Sequence, residues 1–520
     1  MWNPNPGRNI KKLIKHQKEG VRGSLYDQAS YPKLNTGGVQ MIFASLYPLE
    51  KGFIKNNGIL LQVLDILKVA FIPFLLFFKG ALKGSARDFF LRNFTKLSQQ
   101  RIDALKKEKY WIGFLAELEY FKNENDHPKS VGEDSKKEID GLITHAGLPQ
   151  TKTNGTYVVA DKNHDPATIP ADKVITILSI EGMGILSQEL NHTSSSNDIS
   201  LRNLTKQEIL NRIQFIKNRV PLFFITFCHH FDNGLCGHAR SMPVISQSLG
   251  LLDQGDRLSE GFTPIGFEIL MYLLSVKKQN GQFVDDPDAG RRILIDLKHM
   301  SIAGRLAVYD LVENYNGQQN DPKKKIPLIA SHVGYSGLSE EDLVDRIAKN
   351  KENDKEQIAI RAANHGREFR NNSWSINLGS QEINRIIDSG GLIGLSMEQN
   401  ILGVGFFEKI KKKKSEFHTL LLVNQLLSMA QASGTNDFWK HIAIGTDFDG
   451  IVNPVDRYSS TLYFSRMRSE IINELNNLNP IERQGYHISG SIESVVDDFC
   501  FNNAFEFVKT YFKSSEMPPI

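Results

Sequence analysis

Residues of the types that bind divalent cations stand directly behind apolar runs of this chain: Glu181 in SIEG, His229 and His230 in FCHH, His299 in DLKH, His332 in ASH and Asp447 in GTDFDG. A single histidine behind a strand is more often a structural or surface residue than a ligand. Recurrence changes the weight, because five of seven such runs end this way and α/β barrel enzymes gather their chemistry at C-terminal strand ends. A set of His, Asp and Glu without thiolates suits Zn²⁺ or a related divalent ion. With a carboxylate able to bridge two ions, it fits hydrolysis, in which metal acidifies a water and polarises a carbonyl.

The elements that must carry these residues are short, β-branched, nearly continuous apolar runs, the mark of strands buried on both faces of a parallel sheet. They are Val39–Leu46, Val174–Ile180, Pro221–Phe227, Ile293–Leu297, Ile326–Ala330, Gly391–Met397 and His441–Gly445. Between them lie segments that read as helices: Leu204–Asn218, Gly266–Lys278, Ala303–Tyr315, Glu382–Ser389 and Phe417–Ala432. Alternation of this kind predicts βα units with right-handed crossovers. The expected architecture is a (β/α)₈ TIM-type barrel forming one domain over 1–520, with long, partly helical insertions over about 51–172 and 320–368.

The bulk properties set few limits. The chain of 520 residues is 40% hydrophobic and 23% charged with a formal net charge of +3, so no nucleic-acid partner follows from electrostatics. The lysine runs 323–325 and 411–414 are local and read as solvated. Cys228, Cys236 and Cys500 are too few for a disulfide scaffold; the first two read as packing residues. The most apolar stretch, Val69–Phe78, contains Pro73 and falls short of the roughly 20 residues a spanning helix needs. It reads as a buried helical hairpin, with membrane contact the lesser reading.

In order along the chain, the segments LNTGGVQMIFASLYP, ILSIEGMGIL, LFFITFCHHFDNGLCGHA, ILIDLKHMS, IPLIASHVGYSG, REFRNNSWSINLGSQEINRIIDSGGLIGLS and HIAIGTDFDGI resemble the membrane (renal) dipeptidase family of zinc peptidases. The resemblance implies an eight-stranded barrel with two zinc ions at its mouth and hydrolysis of dipeptides. By position, Glu181 resembles the bridging carboxylate, and His299 and His332 the histidines of the second metal. Asp447 resembles the aspartate that holds the first metal and handles the proton, and His229 the histidine that polarises the carbonyl and oxyanion, with His230 left open for that part. Arg370 resembles the residue that grips the substrate's free carboxylate, work that suits its planar fork.

One departure stands out. The family's first strand ends in a His-x-Asp pair, and no such pair precedes Gly37. A missing barrel strand and a missing ligand pair are then one absence, read as a start after the first strand or as an inactive homologue that keeps a small-molecule or partner-binding pocket. The expected consequence is one well-formed zinc site on Glu181, His299 and His332, with impaired dipeptidase activity. Asp296 is expected to orient a ligand, Asp449 and Gly450 to shape a loop, and His238 to serve either the loop or the substrate side. The N-terminal segment lacks the apolar core of a signal peptide; a cytoplasmic location is the default rather than an inference, because a start after the first strand leaves an exported or membrane-anchored form open. A homodimer is compatible with all of this.

Overall fold

The computed structural model describes residues 28–47, 50, 110–124, 156–187, 205–241, 254–349, 359–361, 368–403, 418–450, 452, 454–455 and 457–520. In chain order its strands are β1 (Met41–Leu46), β2 (Tyr157–Val159), β3 (Val174–Glu181), β4 (Leu222–Thr226), β5 (Val276–Gln279) and β6 (Gln282–Asp285). Then follow β7 (Leu294–Asp296), β8 (Ile329–Val333), β9 (Ala359–Arg361), β10 (Glu368–Arg370), β11 (Leu392–Ser396) and β12 (Ile442–Gly445). The main sheet is parallel throughout and runs β1-β3-β4-β7-β8-β11-β12, with β2 added along the N-terminal half of β3.

The sheet curls on itself. Ile175, Phe224, Leu294, Ile329, Leu392 and Ala443, from six different strands, meet in one buried cluster with Phe507, Val508 and Phe512. Flat strands could not bring those side chains together, so this is the interior of a barrel-like α/β fold. Glycine permits the tightest part of the curl. A Cβ on Gly394 or Gly445 would stand 2.0 or 2.1 Å from the Ser331 carbonyl oxygen, so β8, β11 and β12 approach as only glycine allows. Among the described residues β1 pairs only with β3 and β12 only with β11. A cavity of about 1090 Å³ lies between them, lined by Met41, Phe43, Ala443, Ile444 and Phe448 and reaching Glu181, His332 and Asp447.

The predicted helices form as Lys206–Arg219, Pro264–Leu274, Ile302–Asn316, Ser380–Asp388 and His418–Ser433. Their starts follow from capping chemistry: Thr205 and Glu208 close a capping box, and Thr263 and Ser301 accept from the amides of Gly266 and Gly304. Two expectations need correction. The helix expected to run to Lys278 stops at Leu274, because Ser275 turns to φ 54° and the chain enters the β5–β6 hairpin. The strand expected over Ile326–Ala330 lies at Ile329–Val333. Of the insertions, helix Tyr110–Glu124 and β2 belong to the first, and helix Glu340–Ala348 and the β9–β10 hairpin follow β8. Val69–Phe78 and Lys411–Lys414 lie outside the described residues. No helix among those described is long and apolar enough to cross a membrane.

Candidate metal centre

Because all strands of the main sheet run parallel, their C-terminal ends share one rim, and the predicted ligands collect there. Glu181 is the last residue of β3, His332 lies near the end of β8, and His229, His299 and Asp447 stand two or three residues beyond β4, β7 and β12. The Glu181 Oε1 atom is the focus: His332 Nε2 lies 3.5 Å from it, His229 Nε2 3.6 Å and His299 Nε2 3.8 Å. Asp447 Oδ2 is 3.7 Å from His332 Nε2. Ligand atoms about 2.0–2.2 Å from one tetrahedral ion stand about 3.3–3.6 Å apart, so this spacing is near that of a coordination shell.

The polar accounting points the same way. Glu181 Oε1, His332 Nε2 and His299 Nδ1 are buried and have no hydrogen-bond partner. Buried acceptors are ordinarily satisfied, and a cation would satisfy Glu181 Oε1 and His332 Nε2, with His299 facing the same point through Nε2. Glu181, His299 and His332 therefore fit a metal ion as three protein ligands, with Asp447 beside them. Backbone strain marks the same places, since His299 and Asp447 hold φ of 63° and 53°, conformations that cost roughly 1–3 kcal/mol each and cluster at functional sites. The DFDG turn is built around the second: a Cβ on Gly450 would stand 2.2 Å from Asp447 Oδ1.

Burial sets the electrostatics. It pushes Glu181 up to about 8, with Asp296 adding to the shift, and raises Asp447 well above the carboxylate range, where Glu181 adds. It also holds His299 and His332 well below their ordinary value, so both are neutral and able to ligate. Lys298 lies buried beside them, its Nζ without a hydrogen-bond partner. Burial lowers it to about 8 against the pull of Asp447, Asp296 and Glu181.

The ligands are held from behind. Asp296 accepts from Thr226 Oγ1 and Ser331 Oγ, each at 2.6 Å, and Ser331 Oγ lies 2.7 Å from His332 Nδ1. A hydroxyl has one proton; Ser331 gives it to Asp296, so His332 must donate from Nδ1 and present a lone pair at Nε2. Asp296 thus orients His332 through Ser331, as the sequence position suggested, although the relay itself was not legible there. Glu50 was missed altogether. Its Oε2 lies 2.6 Å from His229 Nδ1, and burial pushes this carboxyl up to about 8. The strand-end criterion, carried four residues past β1, would have found it.

The remaining expected residues divide. His238 faces the carbonyl oxygens of Ala239 and Asp256, at 3.2 Å each, and braces its loop. Asp449 accepts from the amides of Gln28 and Ala29, also a loop function. Cys228 Sγ donates to the Gly237 carbonyl, and all three cysteines are free. Arg370 ends β10, and its side chain lies outside what is described.

No family model matches the chain, and no curated protein matches it. Solved structures do align. The dipeptidase AC, a metallo peptidase, is 11% identical over 97% of this chain and 96% of its own, with a TM-score of 0.44. A metallo peptidase from Rhodobacter sphaeroides, liganded with a phosphinate mimic of the dipeptide L-Ala-D-Ala, is 11% identical over 96% of each chain, also at 0.44. The probable dipeptidase PvdM from Pseudomonas aeruginosa is 11% identical over 93% of this chain and 99% of its own, at 0.42.

Proposed function

We propose that this chain is a metal-dependent hydrolase of dipeptides, with zinc held by Glu181, His299 and His332 and flanked by Asp447. The observation that carries the reading is the convergence of histidine Nε2 atoms on Glu181 Oε1 at 3.5–3.8 Å, with that oxygen and His332 Nε2 buried and unpartnered. A bound zinc supplies Lewis acidity and an activated water, the two requirements for opening an amide.

The chain's own residues supply the rest. Asp447, whose Oδ2 lies 3.7 Å from His332 Nε2 at the edge of the ligand group, is suited to take a proton from the attacking water and pass it to the leaving amine. His229, on the other side of Glu181, polarises the scissile carbonyl and the oxyanion that forms from it. Arg370 binds the free carboxylate of the substrate, which favours a free dipeptide over a C-terminally capped one. Only one well-formed zinc position follows from Glu181, His299 and His332.

The test is turnover of a free dipeptide and of its C-terminal amide by the zinc-loaded 520-residue protein and by Arg370→Ala. Loss of a charge-assisted hydrogen bond is worth about 1.5–3 kcal/mol. Arg370→Ala should therefore lose about 10- to 150-fold in kcat/KM on the free dipeptide and little on the amide. Absence of hydrolysis by metal-loaded protein contradicts the activity; equal losses on both substrates contradict the role of Arg370.

A further inference from the structure

The turn that carries Asp447 is held from a distant part of the chain. Asp447 and Asp449 both stand in the left-handed region, at φ 53° and 66°, a backbone conformation that residues other than glycine keep only where their surroundings impose it. Two hydrogen bonds inside the turn help, from the Phe448 amide to Thr446 Oγ1 and from the Gly450 amide to the Asp447 carbonyl oxygen, each at 3.1 Å. Gln28 and Ala29 add three more from outside. The Asp449 carboxylate accepts from the Gln28 amide at 2.8 Å and from the Ala29 amide at 3.2 Å, and the Asp449 amide donates to Gln28 Oε1 at 2.8 Å. Gln28 is 1% exposed, and its carbonyl oxygen accepts from the Thr461 amide at 3.0 Å.

The same stretch reaches the strand that ends in Glu181. Helix Tyr31–Thr36 follows directly. Tyr31 stacks on Tyr157 of β2 with 3.9 Å between ring centroids, and its hydroxyl lies 2.8 Å from Thr176 Oγ1 on β3. Gly37 then fits the end of the helix against Thr461, where a Cβ would stand 2.1 Å from the carbonyl oxygen. Residues 28–37 therefore span from β3 to the turn behind β12. Among the described residues the main sheet connects those two strands only the long way round, through β4, β7, β8 and β11. The stretch is a short tie between the strand of Glu181 and the turn of Asp447.

We infer that residues 28–37 form a strap that positions Asp447 against the Glu181 centre, with the Gln28–Asp449 pair as its clasp. The inference rests on Asp447 as the proton-handling group of the proposed reaction. Gln28 and Asp449 touch no reacting atom; they are positioning residues that act through the turn. Rate is the sensitive quantity, because a reacting group displaced by about 1 Å can cost about 100-fold. Zinc affinity is not, since the strands that carry Glu181, His299 and His332 are joined by continuous pairing from β3 through β4 and β7 to β8.

Steady-state hydrolysis of a free dipeptide by the zinc-loaded 520-residue protein tests it, with zinc bound per chain measured beside the rate. Asp449→Asn keeps a residue that tolerates the left-handed backbone but turns an amide N–H against one of the two donors. Asp449→Gly adopts that backbone freely and removes the clasp. Each should lose about 10- to 100-fold in kcat, with KM and zinc per chain close to those of the wild type. Gln28→Ala, 421 residues away along the chain, should show the same selective loss to a smaller extent. Full kcat in Asp449→Gly overturns the inference. So does a fall in kcat matched by a fall in zinc per chain, the mark of a merely structural role. Both of these outcomes leave the proposed hydrolysis standing. No turnover by the wild type overturns the inference together with the reading of Asp447.

Discussion

Ser331 touches no substrate position, yet it decides which nitrogen His332 offers. It donates to Asp296 and receives from His332 Nδ1, and the same Asp296 is tied to Thr226 and to the Ser331 amide. Removing such a partner typically costs 10- to 100-fold in metal affinity. Ser331→Ala should therefore bind zinc about 10- to 100-fold more weakly by competition with a chelator, while its melting temperature without metal changes little. Unchanged zinc affinity would show that the relay does no orienting. At this scale the chain was legible where chemistry attaches to a strand end: Glu181, His299, His332 and Asp447 converge as their positions implied. Ser331 and Glu50 were not legible as partners, because a hydroxyl beside a histidine and a carboxyl beyond a strand acquire roles only from what folds against them.

Between elements, Lys217 is the informative group. Its Nζ leaves helix Lys206–Arg219 to donate to the Tyr272 and Ala289 carbonyl oxygens at 2.6 and 2.8 Å and to Ser275 Oγ at 3.0 Å. It thereby fastens the end of helix Pro264–Leu274 to the turn before β7. Burial, with Arg291 and Arg292 adding, lowers its ammonium to about 7, against about 10.4 in an unfolded chain. Between those values the unfolded chain holds a proton that the folded one lacks, so this group makes stability rise with pH from about 7 to about 10. Urea midpoints of the wild type and Lys217→Met should diverge in favour of the wild type between pH 7 and pH 9. Parallel pH dependences would remove Lys217 as the cause.

Element boundaries were less legible than element types, for local reasons. The run from Ile326 is apolar, but its first amides are taken by side chains: Ile326 N donates to Asn316 Oδ1 and Leu328 N to Ser389 Oγ. Pro327 has no amide to give. The ladder therefore begins at Ile329. The β5–β6 hairpin carried a readable signal that the apolar periodicity of helix Pro264–Leu274 masked: Asn280-Gly281, at φ 51° and 82°, is the two-residue turn favoured between antiparallel strands. The three-residue β2 is too short to register as a periodic run.

Over the whole molecule, the sheet order and the shared interior cluster give the barrel-like curl that the alternation of strands and helices implied. The seam between β1 and β12 is where an eighth strand was expected to be missing, and the cavity there opens onto the Glu181 centre. The curl serves the site directly, since Glu181 on β3 and Asp447 after β12 share the environment of His332 only because the sheet bends far enough to bring both to it. The central claim is that this rim binds a metal ion through Glu181, His299 and His332. Anomalous X-ray scattering at the zinc edge from crystals of the zinc-loaded protein measures that directly. A strong peak within about 2.0–2.2 Å of Glu181, His299 and His332 is predicted; a fully loaded crystal with no peak among those three residues would contradict it.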